Sequence, residues 1–131
     1  MIVNYKGWRI CPLICYDLRF PVWSRNRNEY DVLVYVANWP NARAEVWNTL
    51  LKARAIENQC YVAGVNRVGI DGQQIEYRGD SQVFGPKGSL LATAVHPGEE
   101  LLSASLSMAE LTLFRGKFPV LADADDFDFR N

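Results

Sequence analysis

The chain has 131 residues, of which 49% are hydrophobic, and its formal net charge is −1. This length allows one domain with a sizeable core, whereas the near-neutral charge gives no basic surface for nucleic acid. No stretch approaches the roughly 20 apolar residues of a membrane span, and the first residues do not resemble a signal peptide. We therefore expect neither nucleic acid nor a membrane as a partner.

The three cysteines and the single histidine limit the chemistry. Cys11, Cys15 and Cys60 form no Cys-x-x-Cys pair, and an odd number leaves one thiol free under any pairing. Reduced thiols are the simplest interpretation, and they favour a cytoplasmic protein. Because His96 has no Cys or His cluster around it, we expect no metal and no cofactor.

Strands and helices alternate in the prediction for the first sixty residues. Residues 8–15 form an apolar strand, in which Pro12 marks a bulge or an edge position. Residues 21–27 form a short helix. Residues 32–37 read Val-Leu-Val-Tyr-Val-Ala, which is typical of a strand buried on both faces. Residues 44–58 are the clearest helix, because apolar residues recur there at three- and four-residue spacing.

After residue 60 the pattern changes to short strands and turns. Strands are predicted at residues 60–68, 74–77, 82–84, 90–95 and 101–106. Ser107, with Glu110 three residues later, is a capping box that begins a helix ending near residue 115. Residues 118–131 are irregular and acidic, and such a tail lies on a surface or against a neighbour. The whole pattern predicts an α/β fold in which helices cover a mixed sheet, over one domain of residues 1–131.

Cys15 is the first candidate for chemistry. It ends an apolar strand and is followed directly by Tyr-Asp-Leu-Arg-Phe-Pro. A thiol at a strand-to-helix corner points out of the sheet edge and meets the positive end of the helix dipole, which favours the nucleophilic thiolate. Cys11 and Cys60 lie within predicted strands, and we expect them to be buried as small hydrophobic residues.

Three segments of the chain resemble the nitrilase superfamily, the carbon–nitrogen hydrolases that cleave amides and nitriles. They are Ile-Cys-Tyr-Asp-Leu-Arg-Phe-Pro at residues 14–21, Trp-Asn-Thr-Leu-Leu-Lys-Ala-Arg-Ala-Ile-Glu-Asn at 47–58, and Tyr-Arg-Gly-Asp-Ser at 77–81 ahead of Gly-Pro-Lys-Gly at 85–88. The sequence is most similar to the omega-amidase-type enzymes, which hydrolyse the side-chain amides of ketoglutaramate-like acids. The resemblance implies the C-terminal half of the superfamily's α-β-β-α sandwich.

The resemblance also implies a mechanism with Cys15 as the nucleophile. A glutamate takes the thiol proton, the sulfur attacks the amide carbon, ammonia leaves, and water hydrolyses the thioester. A lysine and the backbone N–H of Tyr16 stabilise the oxyanion. In the family the glutamate, the lysine and a second glutamate precede the nucleophile strand, whereas residues 1–14 contain Lys6 but no Glu or Asp. We therefore expect the N-terminal half to be absent and this chain to be inactive alone.

Further candidates are expected to contact the substrate. Asn38 and Trp39 follow a buried strand and belong to the rim where ligands of open α/β sheets bind, although a plain turn is the alternative. Arg43 is a candidate partner for a substrate carboxylate, with a solvated surface arginine as the alternative.

Other polar residues are expected to support the site. Asp17 and Arg19 lie two positions apart beside Cys15 and are predicted to hold its turn through hydrogen bonds. The resemblance gives Glu57 a structural role at a helix end rather than that of the base. It also places Asp80 at a strand end, where polar groups satisfy loop backbone.

Two other functions remain open, and the sequence also predicts that the chain associates with a partner. A Cys–His thiol hydrolase would use His96, and a truncated or split-gene product would act as a non-catalytic assembly partner. Superfamily relatives pair through helices that correspond to residues 21–27 and 44–58, often with the tail crossing to the partner. Because Trp23 and the tail residues Phe127 and Phe129 are large and apolar, we expect a homodimer or a complex with the missing half.

Overall fold

The computed structural model describes residues 1–95 and 98–127. The strands are β1 (Val3–Tyr5), β2 (Trp8–Ile14), β3 (Val32–Ala37), β4 (Tyr61–Asn66), β5 (Val68–Ile70), β6 (Glu76–Arg78), β7 (Gln82–Phe84) and β8 (Leu90–Thr93). The helices are α1 (Ala44–Glu57) and α2 (Met108–Lys117), and short 3₁₀ helices cover Cys15–Arg19, Asn41–Arg43 and Val120–Asp123. Within the described ranges, no helix has the length and apolar composition needed to cross a bilayer.

The main sheet is mixed, and the predicted α/β fold is confirmed. Its strand order is β1-β2-β3-β4-β7-β8, in which β2, β3 and β4 are parallel and the other neighbours antiparallel. β5 and β6 form a separate hairpin. The pairing of β1 with β2 ends at Ile10, so Pro12 has an open edge on that side, where its missing N–H is not needed. The carboxyl ends of β2, β3 and β4 lie at one edge of the sheet.

The predicted strand at residues 32–37 and the helix at 44–58 are confirmed almost to the residue. α1 lies on the sheet and buries Trp47, Leu51 and Ala55 in the main core. A side chain at Gly64 in β4 would collide with Leu51 and Trp47, so glycine permits the close approach of helix and sheet.

The short helix predicted at residues 21–27 is wrong. The backbone N–H groups of residues 23–25 bond to carbonyls three positions earlier and form a run of turns. Asn26 then leaves this pattern, because its backbone N–H donates to Oδ1 of Asn58 at 2.8 Å and its side-chain amide donates to the Asn58 carbonyl at 3.0 Å. Such side-chain contacts compete with helix propagation. The helix beside the candidate nucleophile is instead Cys15–Arg19.

The strand predicted at residues 101–106 is also wrong, since the segment pairs with no strand of the described part of the chain. Apolar and polar residues alternate in this segment because Leu102 and Leu106 are partly buried in the connection that precedes α2. α2 itself is confirmed: the Ser107 hydroxyl accepts a hydrogen bond from the backbone N–H of Glu110 at 3.2 Å, as an N-cap residue does.

The acidic tail is less irregular than predicted and packs on its own chain as far as it is described. A 3₁₀ helix spans Val120–Asp123. The Arg27 guanidinium donates to the Phe127 carbonyl at 2.8 Å and lies 5.1 Å from the centre of the Phe127 ring. Phe129, which we expected at a partner surface, lies outside the described residues.

One part of the sheet surface is uncovered. α1 covers one face, while on the other α2 packs Leu111 against the amino ends of β3 and β4. Nearer the carboxyl ends, Ile14, Val36 and Val65 are neighbours in register and are 67%, 48% and 52% exposed. These three residues define the open sheet face, which adjoins Cys15.

A buried carboxylate joins α2 to the sheet. Asp31 precedes β3, and its Oδ1 lies 2.7 Å from Arg9 and 2.9 Å from Arg115. Arg115 also donates to the carbonyls of Gln59 and Tyr30, each at 2.9 Å. Burial acts to raise the pKa of Asp31, but the hydrogen bonds from Arg9 and Arg115 outweigh it and hold the pKa below its usual value.

Replacing Asp31 by Asn is expected to lower the free energy of unfolding by roughly 3 kcal/mol at neutral pH, because two arginines lose their counter-ion. Since the folded-state pKa is depressed, the stabilisation exists above the unfolded pKa of about 4 and is lost as pH falls through the folded value. The Asp31→Asn variant should therefore lose less stability than wild type on acidification. Urea unfolding at several pH values measures this, with the exposed Asp125→Asn as control, and equal pH dependence of wild type and Asp31→Asn would contradict it.

Candidate active site

Three segments meet at the carboxyl edge of the sheet. Cys15, Asn38 and Arg67 directly follow the parallel strands β2, β3 and β4. The backbone N–H of Arg67 donates to the Ala37 carbonyl at 3.1 Å, which continues the pairing past the end of β4. Ligands of open α/β sheets bind at this edge, so the structure brings the predicted nucleophile and the predicted rim together.

The backbone at Cys15 is in the left-handed region. Its φ is 43°, and it is the first residue of the 3₁₀ helix that follows β2. A residue with a side chain adopts this conformation at a cost, and such strain recurs where a nucleophile stands on a sharp strand-to-helix turn. The Asp17 carboxylate accepts a hydrogen bond from the Ile14 N–H at 2.9 Å, directly before the turn. The Cys15 side chain is partly exposed.

The other two cysteines are buried, as the sequence predicts. Burial raises the pKa of Cys11 and that of Cys60. Both side chains belong to the core under α1, so neither presents a thiolate to solvent at neutral pH. Cys15 is the thiol with access to a ligand.

The predicted oxyanion donor adjoins Cys15. Tyr16 is the second residue of the 3₁₀ helix, and the first N–H groups of a helix have no acceptor within it. Its side chain is exposed and packs edge-on against Phe20, with ring centres 5.4 Å apart. The role of this amide as an oxyanion donor stays a prediction.

Arg19 and Trp39 connect the turn to the rim. The Arg19 guanidinium lies 5.3 Å from the Trp39 ring centre and 6.0 Å from that of Tyr16. Trp39 is only 3% exposed, and its indole N–H donates to the Arg43 carbonyl at 2.8 Å. Trp39 is thus a core residue under the rim, whereas the side chains of Asn38 and Arg43 are exposed on it. Substrate contacts by these residues stay predictions.

The Asn66 side chain holds the loop after β3 in place through hydrogen bonds. Its Oδ1 accepts the Trp39 N–H at 2.6 Å, and its amide nitrogen donates to the carbonyls of Trp39 at 3.0 Å and Gly79 at 2.7 Å. Its own backbone N–H donates to the Ser81 hydroxyl at 3.0 Å. One side chain at the end of β4 therefore fixes the loop after β3 and the segment before β7.

Asp80 and Glu57 each form an ion pair with an arginine. Asp80 pairs with Arg78 at 2.9 Å, and its carbonyl accepts the Trp47 indole N–H at 2.9 Å. Glu57 lies in the last turn of α1 and pairs with Arg54 at 2.9 Å. These contacts stabilise the fold around α1. Among the described residues, the structure shows no contact of either carboxylate with Cys15.

Arg54 is a residue that sequence reasoning missed. Its guanidinium donates to the Leu18 carbonyl at 2.7 Å, within the 3₁₀ helix that carries Cys15. The available signal was an arginine within the apolar stripe of a helix, because a charged residue there needs buried partners.

Neither a metal site nor a Cys–His pair is visible in the described residues. No group of three or more His, Cys, Asp and Glu side chains there is arranged to hold a metal ion. His96 lies outside the described residues.

Replacing Asn66 by Asp is expected to lower the free energy of unfolding by roughly 2–3 kcal/mol, because two carbonyls then face a carboxylate instead of an amide donor. Lowering the pH should restore part of this loss, since a protonated Asp donates one hydrogen bond. Urea unfolding measures both effects. Asn48→Asp is the matched control, because Asn48 accepts from Gln82 through its oxygen, which Asp retains. Equal stability of the two variants would contradict the assignment.

Comparisons with known proteins show the family to which the chain belongs. The carbon–nitrogen hydrolase family matches residues 2–115. Omega-amidase YafV of Escherichia coli K12 is 59% identical over 127 residues, which are 97% of this chain and 50% of that protein. The 2-oxoglutaramate amidase of Paenarthrobacter nicotinovorans is 42% identical over 111 residues, which are 83% of this chain and 37% of that one.

A solved structure shows the same backbone. XC1258 from Xanthomonas campestris, a CN-hydrolase superfamily protein with an arsenic adduct in its active site, superposes with a TM-score of 0.92 at 46% identity. The match covers 99% of this chain and 52% of that one. The chain thus spans about half the length of the relatives that it matches most fully. By sequence and by fold, it belongs to the carbon–nitrogen hydrolase family.

Proposed function

We propose that this chain carries the nucleophile of an amidase, with Cys15 as the attacking residue. The observation that supports this most strongly is the left-handed turn that presents a partly exposed thiol beside the Tyr16 amide at the carboxyl edge of the sheet. The family match and the relatives named omega-amidase and 2-oxoglutaramate amidase support hydrolysis of an amide C–N bond.

The proposed reaction passes through a thioester. The Cys15 sulfur forms a bond to the amide carbon, and the oxyanion accepts a hydrogen bond from the Tyr16 N–H. The C–N bond then breaks, and ammonia leaves with the proton taken from the thiol. Water attacks the thioester carbon, which releases the carboxylic acid and returns the proton to the sulfur.

The proton acceptor in this reaction is not provided by residues 1–14, which contain no Glu or Asp. The Glu57 carboxylate pairs with Arg54 at 2.9 Å. We therefore propose that the base and a lysine come from a separate segment, and that the 131-residue chain shows no appreciable turnover when it is assayed alone. A positioned base contributes a factor of about 10²–10⁴.

The proposed substrate is the ω-amide of a small dicarboxylic 2-oxo acid. The names of the two amidase relatives support this class. On this chain, Asn38 and Arg43 present exposed side chains on the rim, and a guanidinium matches the geometry of a carboxylate. Trp39 contributes by holding the backbone of Arg43.

The proposed partner is a second copy of this chain or a complementary half, and it covers the open sheet face. An exposed apolar face across three adjacent strands favours association, and Trp23 is a further large apolar side chain that is exposed. This surface also fits the alternative function, a non-catalytic assembly partner. Cys11, Cys15 and Cys60 are all free thiols, which supports a reducing compartment such as the cytoplasm.

Iodoacetamide is expected to alkylate Cys15 before the other two thiols, because burial shields Cys11 and Cys60 and raises their pKa. Peptide mapping after partial modification measures the order. The Cys15→Ala variant serves as control and should lose the fast phase. Preferential labelling of Cys11 or Cys60 in the native protein would remove the nucleophile assignment.

The wild-type chain is expected to be at least a dimer at micromolar concentration. Val36→Lys, in the open sheet face, should weaken self-association by about tenfold or more, since a buried lysine without a partner is costly. Light scattering over a concentration series measures this, and Leu101→Lys, at a highly exposed position elsewhere, is the control. A stable, well-folded wild-type monomer would refute the proposal.

A further inference from the structure

Arg54 is a buried charge beneath the nucleophile turn. It lies on the core-facing side of α1 and is 3% exposed. One end of its guanidinium pairs with the Glu57 carboxylate at 2.9 Å, and the other donates to the Leu18 carbonyl at 2.7 Å. Taking an arginine out of water is costly, and one surface-facing ion pair offsets this only in part. The Leu18 carbonyl is the second polar partner of the guanidinium, and this contact orients the guanidinium toward the turn.

The Leu18 carbonyl belongs to the five-residue 3₁₀ helix that begins at Cys15 and contains Tyr16. The Leu18 side chain is fully buried, so this end of the helix is anchored through both its side chain and its carbonyl. At the other end, the Asp17 carboxylate holds the Ile14 N–H. Because the helix is a single short unit, a shift at Leu18 is transmitted to the Tyr16 amide.

We propose that Arg54 is a positioning residue, which acts through the Leu18 carbonyl to hold the Tyr16 amide where the oxyanion forms during attack by Cys15. This inference rests on the proposed function, because it assigns Arg54 a role in the same site. Glu57 keeps the guanidinium in place by pairing with its other side. A lysine at position 54 has no planar fork, so it does not reproduce both contacts.

Two reagents separate this role from simple support of the fold. Iodoacetamide alkylates the sulfur and requires only an accessible thiol. 4-Nitrophenyl acetate acylates it: the sulfur–carbonyl bond forms, the bond to 4-nitrophenolate breaks, and the thiol proton passes to solvent. Only acylation passes through an oxyanion that the Tyr16 amide stabilises. The ratio of the acylation rate to the alkylation rate at Cys15 therefore reports the position of that amide.

The variants are Arg54→Lys and Glu57→Gln, with Arg115→Lys as the matched control and Cys15→Ala as the blank. Arg115 is a partly buried arginine that also binds a carboxylate and backbone carbonyls, but it lies at the opposite end of the sheet. Arg54→Lys should lower the ratio at least about tenfold, since a displacement of about 1 Å can cost 10²-fold. Arg115→Lys should change it less than about twofold. The Tyr16 amide resonance in NMR spectra should shift in Arg54→Lys and not in Arg115→Lys.

An unchanged ratio in a folded Arg54→Lys variant would overturn the proposal. If Arg54→Lys does not fold, Glu57→Gln decides, because its amide oxygen still accepts from Arg54 and a smaller fall in the ratio is expected; no fall overturns the inference. If neither reagent modifies Cys15 in wild type while both modify another thiol, the proposed function itself fails. If wild-type Cys15 reacts with both and only the ratio in the variants is unchanged, the proposed function stands and the role of Arg54 does not.

Discussion

The left-handed backbone at Cys15 is the constraint on which the rest of the site depends. With φ at 43°, the chain turns sharply from β2 into a 3₁₀ helix, and this turn sets the sulfur and the next amide side by side at the sheet edge. Such a conformation persists only where the surroundings determine it. Here Asp17 fixes the backbone before the turn, and the buried Leu18 side chain fixes it after the turn.

Two arginines stabilise the two ends of the sheet in the same way. At the amino end, Arg115 joins α2 to Asp31 and to backbone carbonyls, so the last helix is attached through charge as well as through Leu111. At the carboxyl end, Arg54 joins α1 to the turn that carries Cys15. In both cases an arginine on a helix donates to backbone carbonyls: Arg115 to those of Gln59 and Tyr30, and Arg54 to that of Leu18.

The sequence predicted the parts of the fold that hydrophobic periodicity controls. β3 and α1 were recognisable because their patterns run without interruption, and Cys11 and Cys60 were recognisable as core residues for the same reason. Residues 21–27 looked helical, but Asn26 donates two hydrogen bonds to Asn58, 32 positions away, and no local pattern reveals that. Residues 101–106 alternate like a strand although they have no partner strand in the described part of the chain.

The residues of the candidate site fall into the same two groups: those that a local sequence pattern reveals and those whose contacts depend on the tertiary structure. Cys15 and its neighbours could be located because a strand end followed by polar residues is a local signal, reinforced by the family resemblance. The burial of Trp39 and the contact between Arg54 and Leu18 depend on how α1 lies against the turn, which is tertiary information. The functional interpretation therefore rests on a turn that the sequence could locate and on supporting contacts that only the structure shows.

The most direct test of the central claim is ammonia release from 2-oxoglutaramate after the chain is mixed with the part of the Escherichia coli relative that it does not cover. We expect release from the mixture with the wild-type chain, and none from the chain alone or from the mixture with Cys15→Ala. Release at the wild-type rate by the Cys15→Ala mixture would contradict the assignment of Cys15, because another residue would then be the nucleophile.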